Sequence, residues 1–294
     1  MKTLSTKSKV QNKTSIISMG AVSLHVQNVA VLKRFYHEVL QLDLISESDN
    51  VVVLGHGEKR LLQLHTQDTA TKTLPTHAGL YHLAILYASR AQLAQTLVHI
   101  FTKWQGYFVG SADHLVSEAF YFTDPEGNGI ELYFDKESHL WEWENGTVQM
   151  ASLYIDPISY IRTHHGTNDT EHDRTMGHVH LKVGDIETAK QFYVDVLGFT
   201  VTASLPGALF VSRDHYHHHI GMNTWESRGA TKREGYSGLK SYEIHIHSKK
   251  EFETIKKNLI THAIGYSEIA SGISFHDPWN NMVILHHGTN DRKN

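Results

Sequence analysis

The chain has 294 residues, of which 40% are hydrophobic and 20% charged, with a net charge of −4 when its histidines are neutral. That length can bury a sizeable core and, at roughly 150 residues per domain, suggests two domains. The lack of cysteine excludes disulfide scaffolds, thiolate metal sites, iron–sulfur clusters and cysteine nucleophiles, and the weak charge without a long basic run argues against nucleic acid.

In chain order, Met1 to Thr14 has lysines but no apolar signal-peptide core. No stretch reaches the roughly 18 apolar residues of a membrane span, so a cytoplasmic protein without membrane contact is expected. Val22-Ser-Leu-His-Val then alternates as a strand. Leu32, Phe35, Tyr36, Val39 and Leu40 share one face of a helix. A second such unit opens at Gly79-Leu80. It closes with Phe120-Tyr-Phe-Thr, the turn Asp124-Pro-Glu-Gly-Asn-Gly and the strand Ile130-Glu-Leu-Tyr-Phe. Residues 136–175 read as a polar, irregular linker, exposed at Asn168-Asp-Thr and Glu171-His-Asp-Arg.

The chain then repeats itself. Met19-Gly-Ala-Val-Ser-Leu-His-Val returns as Met176-Gly-His-Val-His-Leu-Lys-Val, an offset of 157 residues. Its helix face is Ala189, Phe192, Tyr193, Val196 and Leu197, and Phe275-His-Asp-Pro…Asn281 matches the Asp124 turn. A repeat on this scale decides architecture before any motif does. The reading is an α+β protein of four β-α-β-β-β units, near 19–66, 79–135, 176–224 and 238–287. The implied organisation is a tail (1–18), a first two-unit domain (19–135), the linker (136–175), a second two-unit domain (176–287) and a tail (288–294).

Paired units with Phe-Tyr-x-x-Val-Leu helices and Asp-Pro-x-Gly-Asn turns resemble the vicinal-oxygen-chelate superfamily of glyoxalases, fosfomycin-resistance proteins and extradiol dioxygenases. Gly79-Leu-Tyr-His-Leu-Ala-Ile-Leu, Asp113-His-Leu-Val-Ser-Glu-Ala and Tyr216-His-His-His-Ile-Gly-Met-Asn-Thr-Trp are more narrowly similar to its bacterial catechol-2,3-dioxygenase-like subgroup. The resemblance covers about residues 20–287. It implies two curved-sheet cups, each built from two units around one potential metal site, with ligands on a unit's first and last strands.

At those positions the four units carry Ala21, His82, His178 and Ser241 on the first strand, and roughly Gln63, Glu131, His218 and Ile284 on the last. Only the second and third units offer coordinating side chains at both. Pairing in sequence order would leave each cup half a site. Crossed pairing of the second and third units gathers all four in one cup, and is the favoured arrangement. His82, Glu131 and His178 are then the metal ligands, a two-histidine, one-carboxylate set that suits Fe(II), with Mn(II), Ni(II) or Zn(II) as alternatives. His218, in a His-His segment like that of extradiol enzymes, takes the acid/base role, with His219 its rival.

The expected activity is extradiol-type cleavage of a catechol or hydroquinone-like aromatic by dioxygen. A metal-dependent isomerase or conjugating enzyme is the alternative, favoured if all four residues bind metal. A non-enzymatic binding module is the third reading. A homo-oligomer is compatible with the sequence. His25 and His180 alternate with apolar positions and could face a cup; His114 and Glu118 could shape the pocket. His245 and His247 are expected to be structural, as is Tyr242, and His164-His165 and His286-His287 to be exposed. Trp141 and Trp143 are expected to pack over a cup edge.

Overall fold

The computed structural model describes residues 15–67, 71–104, 107–167 and 172–288. Residues 1–14, 289–294 and the Asn168–Glu171 part of the linker lie outside the described residues. The first unit comprises β1 (Ile17–Val26), α1 (Val29–Arg34), β2 (Asp43–Glu47), β3 (Val51–His56) and β4 (Lys59–Thr66). The second comprises β5 (Gly79–Tyr87), α2 (Arg90–Lys103), β6 (Phe108–Asp113), β7 (Ser117–Thr123) and β8 (Gly129–Asp135). The described residues within 136–175 carry regular structure: β9 (Trp143–Glu144) and β10 (Thr147–Val148) form a ribbon, and α3 (Pro157–His164) follows. Burial of Trp141, Val148 and Tyr160 anchors this stretch despite its polar composition. The third unit has β11 (Arg174–Lys182), α4 (Ile186–Lys190), β12 (Thr200–Leu205), β13 (Ala208–Ser212) and β14 (Ile220–Asn223). The fourth has β15 (Gly238–Ile246), α5 (Lys249–Thr261), β16 (Tyr266–Ile269), β17 (Gly272–His276) and β18 (Met282–His287).

The strands form two curled eight-stranded sheets, and their pairing is crossed. One sheet runs β12-β13-β14-β11-β5-β8-β7-β6, joining the third unit to the second. The other runs β16-β17-β18-β15-β1-β4-β3-β2, joining the fourth to the first. The seams are antiparallel, β5 against β11 and β1 against β15. Inside each unit the first and last strands are parallel, as a crossover helix requires. One continuous core, including Leu24, Leu64, Leu83, Val179 and Ile244, is shared by both sheets.

The Phe-Tyr helices have a second purpose besides packing. Each passes from α-helix into a π-helical turn, Phe35–Val39 after α1 and Gln191–Val196 after α4. Each sends its buried tyrosine to the Asp-Pro turn of the next unit. Tyr36 Oη donates to Asp124 Oδ2 at 2.9 Å, and Tyr193 Oη to Asp277 Oδ2 at 3.1 Å. Each aspartate also accepts two backbone N–H groups and an asparagine amide of its own turn. The residue three after each aspartate, Gly127 or Asn280, takes the positive φ that closes the turn. Sheets thus bind units crosswise, while tyrosine–aspartate bonds tie units in sequence order.

Candidate metal centre

The centre lies at the β5–β11 seam. Alternation on β5 puts His82 and Ala84 on one face. Across the seam Ala84 pairs with His178 and His82 with His180, and on its other edge Ala84 pairs with Glu131 of β8. Glu131, Ala84 and His178 therefore form a row across three strands. Neighbouring strands are about 4.8 Å apart, so the outer two meet only by reaching over the middle residue. Its methyl side chain leaves that room.

The three side chains converge closely. Glu131 Oε2 lies 3.0 Å from His82 Nε2 and 3.1 Å from His178 Nε2. Metal bonds of about 2.1 Å at right angles would place ligand atoms roughly 3.0 Å apart, so the spacing fits a facial set. All three residues are buried, and one atom from each falls within 4.8 Å of the others. His82 Nε2 and His178 Nδ1 are buried without a hydrogen-bond partner of good geometry. Burial opposes charge on Glu131, yet His178 and His82 hold its carboxyl well below the ordinary range. Burial also lowers His178 from its ordinary value. An ionised carboxylate beside a neutral His178 is a donor state that suits a divalent metal.

His218 stands beside this set and outside it. Its ring centroid is 4.2 Å from that of His178, and its side chain lines the cavity. Burial, and then the surrounding histidines, hold it well below the ordinary imidazole value. His217 Nε2 is 2.9 Å from Asp135 Oδ1, and His217 Nδ1 is 2.8 Å from His218 Nδ1. If both imidazoles are neutral, these bonds fix the tautomers. His217 gives its Nε2–H to the carboxylate, so its Nδ1 accepts from His218 Nδ1–H. His218 Nε2 is then left as a bare acceptor. His219 turns into the core, with Nδ1 2.9 Å from Ser212 Oγ.

Strand register revises one equivalence. Glu131 pairs with Ala84 and with Tyr121; the matching place in the third unit, opposite His180 and Phe210, is Gly221. His218 precedes β14 and does not occupy the last-strand ligand position. A Cβ at Gly221 would lie 2.8 Å from His180 Nδ1, so this glycine makes room for His180.

The cavity over the centre measures about 1300 Å³. His82, Glu131, His180 and His218 line it, as do the aromatic residues Tyr81, Phe210 and Trp225. His180 accepts from Asn223 Nδ2 at 2.9 Å, and burial keeps it well below its ordinary value. His114 lies in the wall, its Nε2 2.6 Å from Tyr121 Oη. Glu118 instead pairs with Arg90, and His25 is on the other sheet. Trp141 packs on Tyr216 and His217. Tyr242 is a core residue bonded to Tyr193. Ala84 and Asp135 are not visible as candidates in the sequence, and His217 is visible there only as part of the His-His segment. Asp135 closes the Ile130-Glu-Leu-Tyr-Phe strand two residues beyond Tyr133, on the face shared with Glu131, and that periodicity was the available signal.

Comparison with known proteins agrees with this architecture. The Glyoxalase/Bleomycin resistance protein/Dioxygenase superfamily profile matches residues 18–132 and 175–251, and the chain belongs to that superfamily. It is 35% identical over 257 residues to a catechol-2,3-dioxygenase of Bacillus subtilis (strain 168), covering 85% of this chain and 89% of that one. Among solved structures, a candidate dioxygenase from Bacillus subtilis subsp. subtilis str. 168 superposes with a TM-score of 0.63 at 12% identity, covering 92% of this chain and 84% of that one. Glyoxalase I from Zea mays gives 0.55 at 16% identity, covering 92% of each chain. At those identities the structures establish shared fold alone. Among the described residues no helix is long and apolar enough to cross a membrane.

Proposed function

We propose that this chain is a cytoplasmic, iron(II)-dependent extradiol-type dioxygenase that opens a catechol or hydroquinone-like aromatic ring with dioxygen. The observation that carries the reading is the size of the ligand set. His82, Glu131 and His178 converge, while His218 stays outside them, tied through Nδ1 to His217. A fourth ligand would favour Lewis-acid isomerisation. Three ligands on one face leave three positions of an octahedral ion, two for the catechol oxygens and one for dioxygen. The 35% identity to a catechol-2,3-dioxygenase supports the same chemistry.

The bound metal would supply Lewis acidity and a path for electrons from the ring to oxygen. The chain's own groups do the rest. Tyr81, Phe210 and Trp225 line the cavity and offer aromatic faces to the ring. Asp135 holds His217, which holds His218 with Nε2 bare, ready to take a proton from a catechol hydroxyl and return it to the opened product. The cavity exceeds the roughly 300–1,000 Å³ of ordinary small-molecule sites, which favours a substituted or multi-ring substrate.

The test is oxygen uptake by iron(II)-loaded protein with simple, alkyl- and aryl-substituted catechols. Stoichiometric uptake with a yellow ring-opened product is expected, faster for the larger substrates. Oxygen-independent turnover of a thiol–ketoaldehyde adduct, with no uptake on any catechol, would replace this reading with the isomerase.

A further inference from the structure

The other sheet holds a second cluster that neither the repeat positions nor the proposed reaction accounts for. Glu243 and His245 alternate onto one face of β15, and His286 of β18 pairs directly with His245. His245 Nε2 lies 3.9 Å and His286 Nε2 3.5 Å from Glu243 Oε2. One donor atom from each residue falls within 4.8 Å of the others. We propose that Glu243, His245 and His286 form a second site for a divalent transition metal in this cup.

Four features argue for a built site. The cluster is enclosed: side-chain exposure is 5% for Glu243, 8% for His245 and 13% for His286. His286, expected from sequence to lie in solvent, therefore does not. His286 Nδ1 sits 2.7 Å from Ser271 Oγ. With Nδ1–H donated there, its Nε2 lone pair faces the cluster, and that atom is buried without a hydrogen-bond partner. Such an outer hydrogen bond is how metal-binding histidines are oriented. Finally, β1 breaks register between Met19 and Val22, which places Gly20 against the cluster. A Cβ at Gly20 would lie 2.5 Å from His245 Nε2 and 2.9 Å from Glu243 Oε2, so the space is kept open by a glycine.

Arg60, 3.4 Å from Glu243 Oε2 and half exposed, Gln63, 3.3 Å from Oε1, and the backbone N–H of Ala21, which donates to Oε2 at 3.4 Å, are the competing partners. The two side chains come from β4, which lies across β1 from β15, and can swing aside. This is no copy of the first centre. Ser241 and Ile284 stand at the positions equivalent to the first centre's residues, whereas Glu243 and His245 lie two and four residues past Ser241 on β15 and His286 two past Ile284 on β18. Three protein donors leave a tetrahedral ion one position for water, and zinc(II) is the natural probe.

The experiment counts zinc retained per chain against a competing chromophoric chelator. The wild type is expected to retain one ion more than either His286→Gln or Gly20→Ala, each of which keeps the His82–Glu131–His178 site. Glu131→Ala should lose a different ion, and its combination with His286→Gln should lose both. Zinc should raise the Tm of Glu131→Ala and not that of the double variant. An unchanged zinc count in folded His286→Gln, with no Tm response to zinc in Glu131→Ala, would overturn the proposal.

Discussion

Removing the Tyr36 hydroxyl tests how sequential units are tied together. Tyr36 is fully buried, and its hydroxyl donates to a buried carboxylate, Asp124. A hydrogen bond to a charged group contributes about 1.5–3 kcal/mol, against about 0.5–1.5 for a neutral pair. Tyr36→Phe should therefore cost about 1.5–3 kcal/mol at pH 8, or roughly 3–6 °C in Tm for a chain of this size. Burial pushes Asp124 up from 3.8 to about 6, against the pull of its four hydrogen bonds. A carboxyl raised in the fold favours the native state when protonated, and that stability is lost as pH rises from about 4 through 6. Losing a donor to the ionised form extends the loss. The Tyr36→Phe defect should thus be larger at pH 8 than at pH 4, read by urea denaturation at both. An equal or larger defect at pH 4 would refute the charged-acceptor argument.

Ala84→Val should push Glu131 and His178 apart where they reach over this residue, lowering metal affinity at least about 100-fold with little change in Tm; equilibrium dialysis against iron(II) or cobalt(II) reads it, and wild-type affinity would contradict the row geometry. Asp135→Asn removes the anion that holds His217, so kcat should fall about 10–100-fold and its pH profile shift while iron content stays the same; a loss of iron, or an unmoved profile, would mean that Asp135 has no part in setting His218.

Much of the site was legible because a repeat exposes its own exceptions. Four first-strand positions compared side by side single out His82 and His178, and the emptiness of Ser241 and Ile284 points to crossed pairing. Glu131 was visible because a carboxylate between Ile130 and Leu132 is costly unless paired. The same comparison concealed the Glu243 cluster, which is offset by two to four residues from the positions compared and depends on a β1 irregularity that no alternation pattern reveals. It also set His218 in line with Glu131, where the register has Gly221. Ala84 was invisible for a different reason: its importance is the volume it lacks. The stretch 136–175 read as irregular because its ribbon is two residues per strand, too short for periodicity, although Trp141 and Val148 anchor it.

The most direct test of the central claim is anaerobic iron analysis of the wild type, Glu131→Ala and His218→Ala after iron(II) loading, paired with oxygen uptake on the best catechol. The account predicts that Glu131→Ala loses one iron per chain together with turnover, while His218→Ala keeps the wild-type iron content and loses turnover alone. Full iron in Glu131→Ala, or loss of iron in His218→Ala, would contradict the three-ligand centre.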